Sequence, residues 1–421
     1  MTIPTIHNIQ KIDFKLPEKI TLKNNIPVFI FLDDKQNILK LDIVFNAGRW
    51  VENKQLTADA VAALCKSSTS NLSAYQLNEK IDFYGATIKA STGYNTFTVS
   101  LACLSQFLIP CLDLIMTCLN DIQFPEHELS LFQKNAKAKL AVNLEKSDFL
   151  ADTLFKESVF GKQHPYGYTA NNESIEAINQ SGIIQYYNNF VVPNNCSVFI
   201  AGDVQTEALQ YIEENLGNWV KNSALKITIN SHIPIVENPP KNIRINKENS
   251  TQASIILGKR MFNKHNEDYG AFMLLNTIFG GYFGSRLMNN IREDKGLTYG
   301  IYSALQPLKF DGFWAIYTDT NLEKLDICMQ EIKSEINIIL ENLIDDDEIK
   351  LARNYLLGRF LKRTDGAFNL LETYKSYYIE EVGIEHFGTF IETIRQADAK
   401  NLQEIAQKYL TLDTMHQIIV G

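Results

Sequence analysis

Gly280-Gly281-Tyr282-Phe283-Gly284-Ser285-Arg286-Leu287, continued by Met288-Asn289-Asn290-Ile291-Arg292-Glu293-Asp294-Lys295-Gly296 and Leu297-Thr298-Tyr299-Gly300-Ile301-Tyr302-Ser303, is the most telling stretch of this chain. It reads as loop, helix, tight turn and strand. Ser285 stands where an N-cap belongs, and Leu287, Asn290, Ile291 and Asp294 follow at helical spacing until Gly296 closes the helix. Beyond the turn, Tyr299, Ile301 and Ser303 alternate with Gly300, Tyr302 and Ala304, the period of a strand. The spacing therefore folds a helix ending near Arg292 back onto a strand beginning at Tyr299. Both side chains then share one surface.

The glycines before the helix do not form a nucleotide site, because neither GxGxxG nor GxxxxGK[ST] is present. Arg292 taken alone, in Arg-Glu-Asp-Lys, is an ordinary solvated helix end. The whole string says more. Gly-Gly-x-Phe-x-Ser-Arg-Leu followed by Ile-Arg-Glu-x-Lys-Gly-Leu-x-Tyr resembles the C-terminal-domain signature of the pitrilysin/insulinase-type zinc metallopeptidases. That family includes mitochondrial processing peptidase and the core proteins of the cytochrome bc1 complex. The resemblance implies that Arg292 and Tyr299 reach across a chamber to peptide near the zinc of a facing half. It extends over nearly the whole chain through Gly48-Arg49-Trp50, His164-Pro165-Tyr166-Gly167 and Phe190-Val191-Val192-Pro193-Asn194-Asn195, in that order.

A chain of 421 residues, 45% hydrophobic, is long enough for two domains of roughly 200 residues, each with its own core. A net charge of −9 argues against a general nucleic-acid binder. Met1 to Ile20 interleaves Lys, Asp, Gln and Pro with apolar positions, so neither a signal-peptide core nor a membrane span is expected, and the expected location is the cytoplasm. Six cysteines without a CxxC, in apolar or helical settings, read as buried free thiols.

The organisation is α+β, and it occurs twice. In the first half, strands are expected at Lys19 to Leu22, Pro27 to Leu32, Lys40 to Asn46 and Cys196 to Gly202, with a hairpin from Thr87 to Leu101. Helices are expected at Leu56 to Lys66, Ser73 to Phe83 and Phe107 to Asp121. One long helical stretch follows from Glu126 to Phe160, with others at Ile183 to Phe190 and Thr206 to Leu216. The second half replays this order, from a strand at Gln252 to Gly258 to a closing strand at His416 to Gly421. It has helices at Tyr269 to Phe279 and Ser285 to Lys295, a hairpin of Tyr299 to Ala304 with Gly312 to Thr318, and long helices at Leu322 to Glu341 and Asp345 to Arg363. The pattern is that of a duplicated unit of roughly 210 residues. It predicts domains at 1–220 and 242–421 joined by the Pro-bearing linker 221–241. Two similar domains, each an antiparallel-rich sheet packed with helices and together forming half of a clamshell, are what the resemblance implies.

One departure from the family is decisive. Active members carry HxxEH on the helix after the third strand, two histidines one turn apart for zinc and a glutamate to activate the metal-bound water. Here that helix reads Thr57-Ala58-Asp59-Ala60-Val61-Ala62-Ala63-Leu64-Cys65-Lys66. Asp59 and Ala63 fall at the two histidines and Ala62 at the glutamate. A further glutamate ligand is expected on the next long helix, but no acidic residue lies between Leu129 and Leu144, and Lys137 and Lys139 occupy that region. The seven histidines, His7, His127, His164, His232, His265, His386 and His416, form no pair at ligand spacing and read as surface or structural. No GxSxG replaces the missing motif.

The chain is thus expected to hold no metal and to be inactive alone. It would serve as the non-catalytic subunit of a heterodimeric zinc metalloendopeptidase, with zinc in a homologous partner bearing HxxEH. Arg292 and Tyr299 would bind and orient the peptide there. The alternative is an inert scaffold or peptide-binding protein like the bc1 core proteins. Neither nucleic acid nor membrane is an expected partner, and self-association of the chain expressed alone stays open.

Overall fold

The computed structural model describes residue 9, residues 12–221 and residues 238–421. Most of the expected linker therefore lies outside the described residues. Strands β1 (Glu18–Thr21), β2 (Pro27–Leu32), β3 (Ile38–Phe45), β4 (Thr87–Thr92), β5 (Phe97–Leu104) and β6 (Cys196–Gly202) form one sheet in the order β1-β2-β6-β3-β5-β4. Strands β7 (Asn242–Ile245), β8 (Gln252–Met261), β9 (Thr298–Pro307), β10 (Gly312–Asn321) and β11 (His416–Val420) form the other, in the order β7-β11-β8-β10-β9. Beyond β1, the two orders are the same when read in chain sequence. The parallel pair β2/β6 has its counterpart in β7/β11, and each remaining pair is antiparallel in both sheets. The repeat expected from faint sequence echoes is a repeat of topology.

Helices of the first half are α1 (Thr57–Leu64), α2 (Ala74–Phe83), α3 (Leu108–Asp121), α4 (Glu126–Leu144), α5 (Ser147–Phe160), α6 (Asn172–Glu176), α7 (Gln180–Phe190) and α8 (Thr206–Asn215). Those of the second are α9 (Tyr269–Asn276), α10 (Leu325–Glu341), α11 (Asp346–Arg363), α12 (Ala367–Ile379), α13 (Glu385–Gln396) and α14 (Ala399–Tyr409). Each sheet turns one face to a core made with helices of its own half, around Val28, Ile43 and Ile200 in the first and Ile255, Trp314 and Ile332 in the second.

The opposite faces are covered by an exchange. Helix α5 of the first half lies on the second sheet, where Phe155 and Phe160 meet Ile256, Phe313, Ala315 and Val420. Helix α12 of the second half lies on the first sheet, where Leu370 and Leu371 meet Phe29, Phe31, Phe199 and Ala201. This double covering explains why β2 (PVFIFL) and β6 (CSVFIAG) are continuous apolar runs and not alternating ones. It also corrects the reading of Glu126 to Phe160 as one helical stretch. Lys146 is extended (φ −92°, ψ 129°), and the chain turns there, because α4 packs on its own half while α5 crosses to the other. The exchange is tied by a buried charge. Asp42, fully inaccessible on β3, accepts from Lys375 of α12 at 2.5 Å and lies 3.4 Å from Lys40.

All six cysteines are free and buried, as expected. His164 and His416 are buried, each accepting a backbone N–H on Nδ1, and burial lowers both to about 4. They are structural groups. Among the described residues no helix is long and apolar enough to cross a membrane.

Candidate functional site

Where the resemblance would put the zinc motif, the structure has an ion pair. Gly48 allows the third strand to run into the tip of the β4–β5 hairpin, where a Cβ would lie 2.5 Å from the Tyr94 carbonyl oxygen. The next residue, Arg49, donates from Nε and Nη2 to the two carboxylate oxygens of Asp59, at 3.0 and 2.9 Å. Its guanidinium also faces the rings of Tyr94 and Tyr168. Burial works against the charge of Arg49, but the hydrogen bonds and charge of Asp59 outweigh it and raise the guanidinium's pKa. Asp59 is thus held by a guanidinium and is no spare ligand.

Glu52, three residues on, braces the same helix. Its carboxylate accepts from the backbone N–H of Leu56 and Ala58 and from the Tyr168 hydroxyl. Leu56, the residue before α1, is left-handed (φ 69°), a conformation that costs a leucine energy and that the Glu52 hydrogen bond holds in place. Burial pushes the Glu52 carboxyl up to about 7, against the pull of Tyr168 and the two amides.

These residues do not fit zinc. Ala62 and Ala63 carry no donor, Lys137 is paired with Glu176, and Lys139 is a cation. Among the described residues, no group of three His, Cys, Asp or Glu side chains could hold a metal ion. Asp59 and Ala63 instead line a cavity of about 610 Å3 between α1, α4, α5 and Tyr168. Its size suits a small ligand or a short peptide segment.

The motif in the second half is built differently from its sequence reading. Residues Thr277–Gly281 and Met288–Asp294 are wound as π-helix, a rare geometry that is often found at functional sites. The wider turn lets Leu287, Met288 and Ile291 all point into the core. Ser285 does not cap: its hydroxyl is buried without a hydrogen-bond partner among the described residues, and Arg286 anchors the loop through a bidentate pair with Glu348 on α11. Gly296 does end the helix, at φ 57°, with its N–H bonded to the Arg292 carbonyl.

Tyr299 also departs from simple alternation. The register of β9 on β10 shifts so that Tyr299 and Gly300 stand opposite Asp319 alone, a β-bulge. Thr298 pins it, its hydroxyl bonding to Gly300 and the Asp319 carbonyl. Tyr299 is consequently thrown off the face shared by Ile301 and Ser303 and is 92% exposed, whereas those two are buried. Arg292 lies over the exposed ring of Phe283, 4.9 Å from its centroid, and donates to Glu293 at 2.7 Å. No hydrogen bond or ring contact joins Arg292 to Tyr299 among the described residues.

Asp152 of α5 borders the cavity at Asp59, a second cavity of about 430 Å3 lined by Gly300, Tyr302 and Asp319, and a third lined by Tyr302 and Tyr317; Arg292 and Tyr299 line none of the three. Tyr302 and Tyr317 stack there with centroids 5.1 Å apart. Burial and the carboxylates of Asp152, Asp319 and Asp148 raise the Tyr302 hydroxyl's pKa. Sequence reasoning missed Arg49, Glu52 and Asp152. Arg49 lay in the quoted Gly-Arg-Trp motif, but no local signal ties Asp152 to a tyrosine on β9.

Comparison with known proteins agrees with this architecture. Residues 177–356 match the family described as Peptidase M16 inactive domain. An "Uncharacterized zinc protease" of Rickettsia bellii is 26% identical over 377 residues, 88% of each chain. The crystal structure of a peptidase M16 inactive domain from Pseudomonas fluorescens superimposes with a TM-score of 0.85 at 20% identity, covering 96% of this chain and 98% of that one. The periplasmic protease PqqL of Escherichia coli superimposes with a TM-score of 0.78 at 15% identity. All of this chain corresponds to 48% of PqqL, so the present fold makes up about half of that chain.

Proposed function

We propose that this relative of the M16, or pitrilysin/insulinase-type, peptidases is the non-catalytic subunit of a heterodimeric zinc metalloendopeptidase. A homologous partner bearing HxxEH supplies the zinc, and this chain binds and orients the peptide. The observation that carries the reading is the exposure of Tyr299. A bulge pinned by Thr298 holds a large aromatic side chain 92% in solvent, where it contributes nothing to this chain's own core. Arg292, on the helix folded back against the same strand, adds a cation. Both can donate to a peptide carbonyl or to negative charge developing on it.

The cavities that share Asp152 suit an extended peptide carrying a basic side chain. The stacked Tyr302 and Tyr317 offer an aromatic wall, and Asp148 and Asp319 place negative charge near it. The six free cysteines are consistent with work in the reducing cytoplasm. Mixing the purified chain with a homologous HxxEH-bearing chain tests the reading. A stable heterodimer that cleaves peptides, where this chain alone cleaves none, is expected. Full activity of the partner by itself would overturn it.

A second reading, an inert scaffold or peptide-binding protein, is favoured by the Arg49–Asp59 pair, which makes the vestigial helix a finished structural element. Assembly with an HxxEH partner that leaves its turnover unchanged would decide for it.

A further inference from the structure

The cavity beside Asp59 carries an ordered pattern of charge along one helix. Glu128, Leu131, Phe132, Asn135, Lys139 and Asn143 of α4 all line it. Glu128 and Lys139 are three helical turns apart and on the same face, about 16 Å along the axis at 1.5 Å per residue. The other charges of the cavity are matched within it, Arg49 to Asp59 and Lys156 to Asp152. Glu128 has, among the described residues, one ionic neighbour, the exposed His127 at 3.7 Å. Lys139 has no partner among the described residues. Between them the wall is apolar, with Leu131 and Phe132, and is interrupted by the amide of Asn135.

A cavity with a carboxylate at one end that is shared only loosely with the solvent-exposed His127, an ammonium at the other and an apolar belt between is complementary to a zwitterion with its charges well separated. An extended peptide advances about 3.3–3.6 Å per residue, so 16 Å corresponds to four or five residues. We propose that this cavity binds short peptides with free ends, the α-ammonium on Glu128 and the α-carboxylate on Lys139. The vestigial metal site would then be a receptor for oligopeptides of product size, and this chain would hold them without any partner.

Calorimetric titration of the purified chain with Ala-Leu-Gly-Leu-Ala tests this, using the free, N-acetylated and C-amidated forms and a ten-residue peptide of the same composition. The free pentapeptide should bind best, with each blocking group and the doubled length weakening binding at least tenfold. Glu128→Gln should abolish the penalty for acetylation alone, and Lys139→Met the penalty for amidation alone. Both residues are on the surface of α4, and unchanged melting temperatures would confirm folding. Equal binding of free and blocked peptides, equal binding of the longer peptide, no binding at millimolar concentration, or loss of both penalties in either variant would overturn the proposal. None of these outcomes bears on assembly with an HxxEH partner, which is read from complex formation.

Discussion

Arg49 grips Asp59 through two parallel hydrogen bonds in the first turn of α1, where the resemblance would align a metal-binding histidine. A guanidinium in that position supplies a fixed positive charge with no open coordination position. The purified chain should therefore carry no stoichiometric zinc after dialysis, and about one zinc per chain by elemental analysis would refute the assignment. Arg49→Ala should lower stability by about 2 kcal/mol, the usual scale for removing a charged partner from a half-buried carboxylate, and this is readable by urea denaturation.

Arg292→Ala and Tyr299→Phe should leave the fold within about 1 kcal/mol of wild type, since both side chains are at the surface. In a reconstituted heterodimer each should reduce kcat by about two to three orders of magnitude, the usual scale for one lost transition-state donor. Zinc content and assembly should be unaffected. Wild-type turnover in both variants would remove these residues from the site.

Glu52 predicts a pH dependence whose sign is set by its direction of shift. Its carboxyl is raised from 4.5 to about 7, so the native state holds the proton more tightly than the unfolded chain. That contribution to stability is complete below about pH 4.5 and is lost as pH rises through about 7, on the order of 3 kcal/mol at most. Denaturant titrations from pH 5 to 8 should show this decline in wild type and a flatter profile in Glu52→Gln. Parallel profiles would show that Glu52 is ionised throughout.

Removal of the Lys375 ammonium should cost about 2–4 kcal/mol, because among the described residues it leaves the inaccessible Asp42 with Lys40 alone as a cationic partner. Lys375→Met tests this, and adding Asp42→Asn should recover part of the loss by discharging the orphaned carboxylate. Additive losses in the double variant would show that the two groups are not coupled.

How far these features could be read in advance depended on how local their causes are. Pro27–Leu32 and Cys196–Gly202 form strands at the residues expected from their apolar runs, and Gly296 stops its helix as a glycine should. The duplicated topology was legible because element order survives where residue identity does not. The break at Lys146 was not, because it is dictated by a sheet in the other half of the chain. The bulge that exposes Tyr299 escaped for a similar reason: its hydrogen bonds come from Thr298 and Thr318, and alternation alone places Tyr299 with Ile301. That Asp59, Ala62 and Ala63 stand where the resemblance expects HxxEH could be read from the sequence. The pairing of Asp59 with Arg49 could not, because it requires the hairpin tip to bring the two chain segments together.

The trade of α5 for α12 has a bearing on how such a chain could arise. One repeat by itself would leave a sheet face bare and a helix without a seat, and two separate copies would cover both only by swapping helices about a twofold axis. Fusion of the copies replaces an encounter that depends on concentration with one between tethered partners, whose effective concentration is set by the connecting segment and reaches millimolar for short flexible tethers. A single repeat that paired with a second copy of itself by the same exchange of helices would satisfy both sheet faces in the same way.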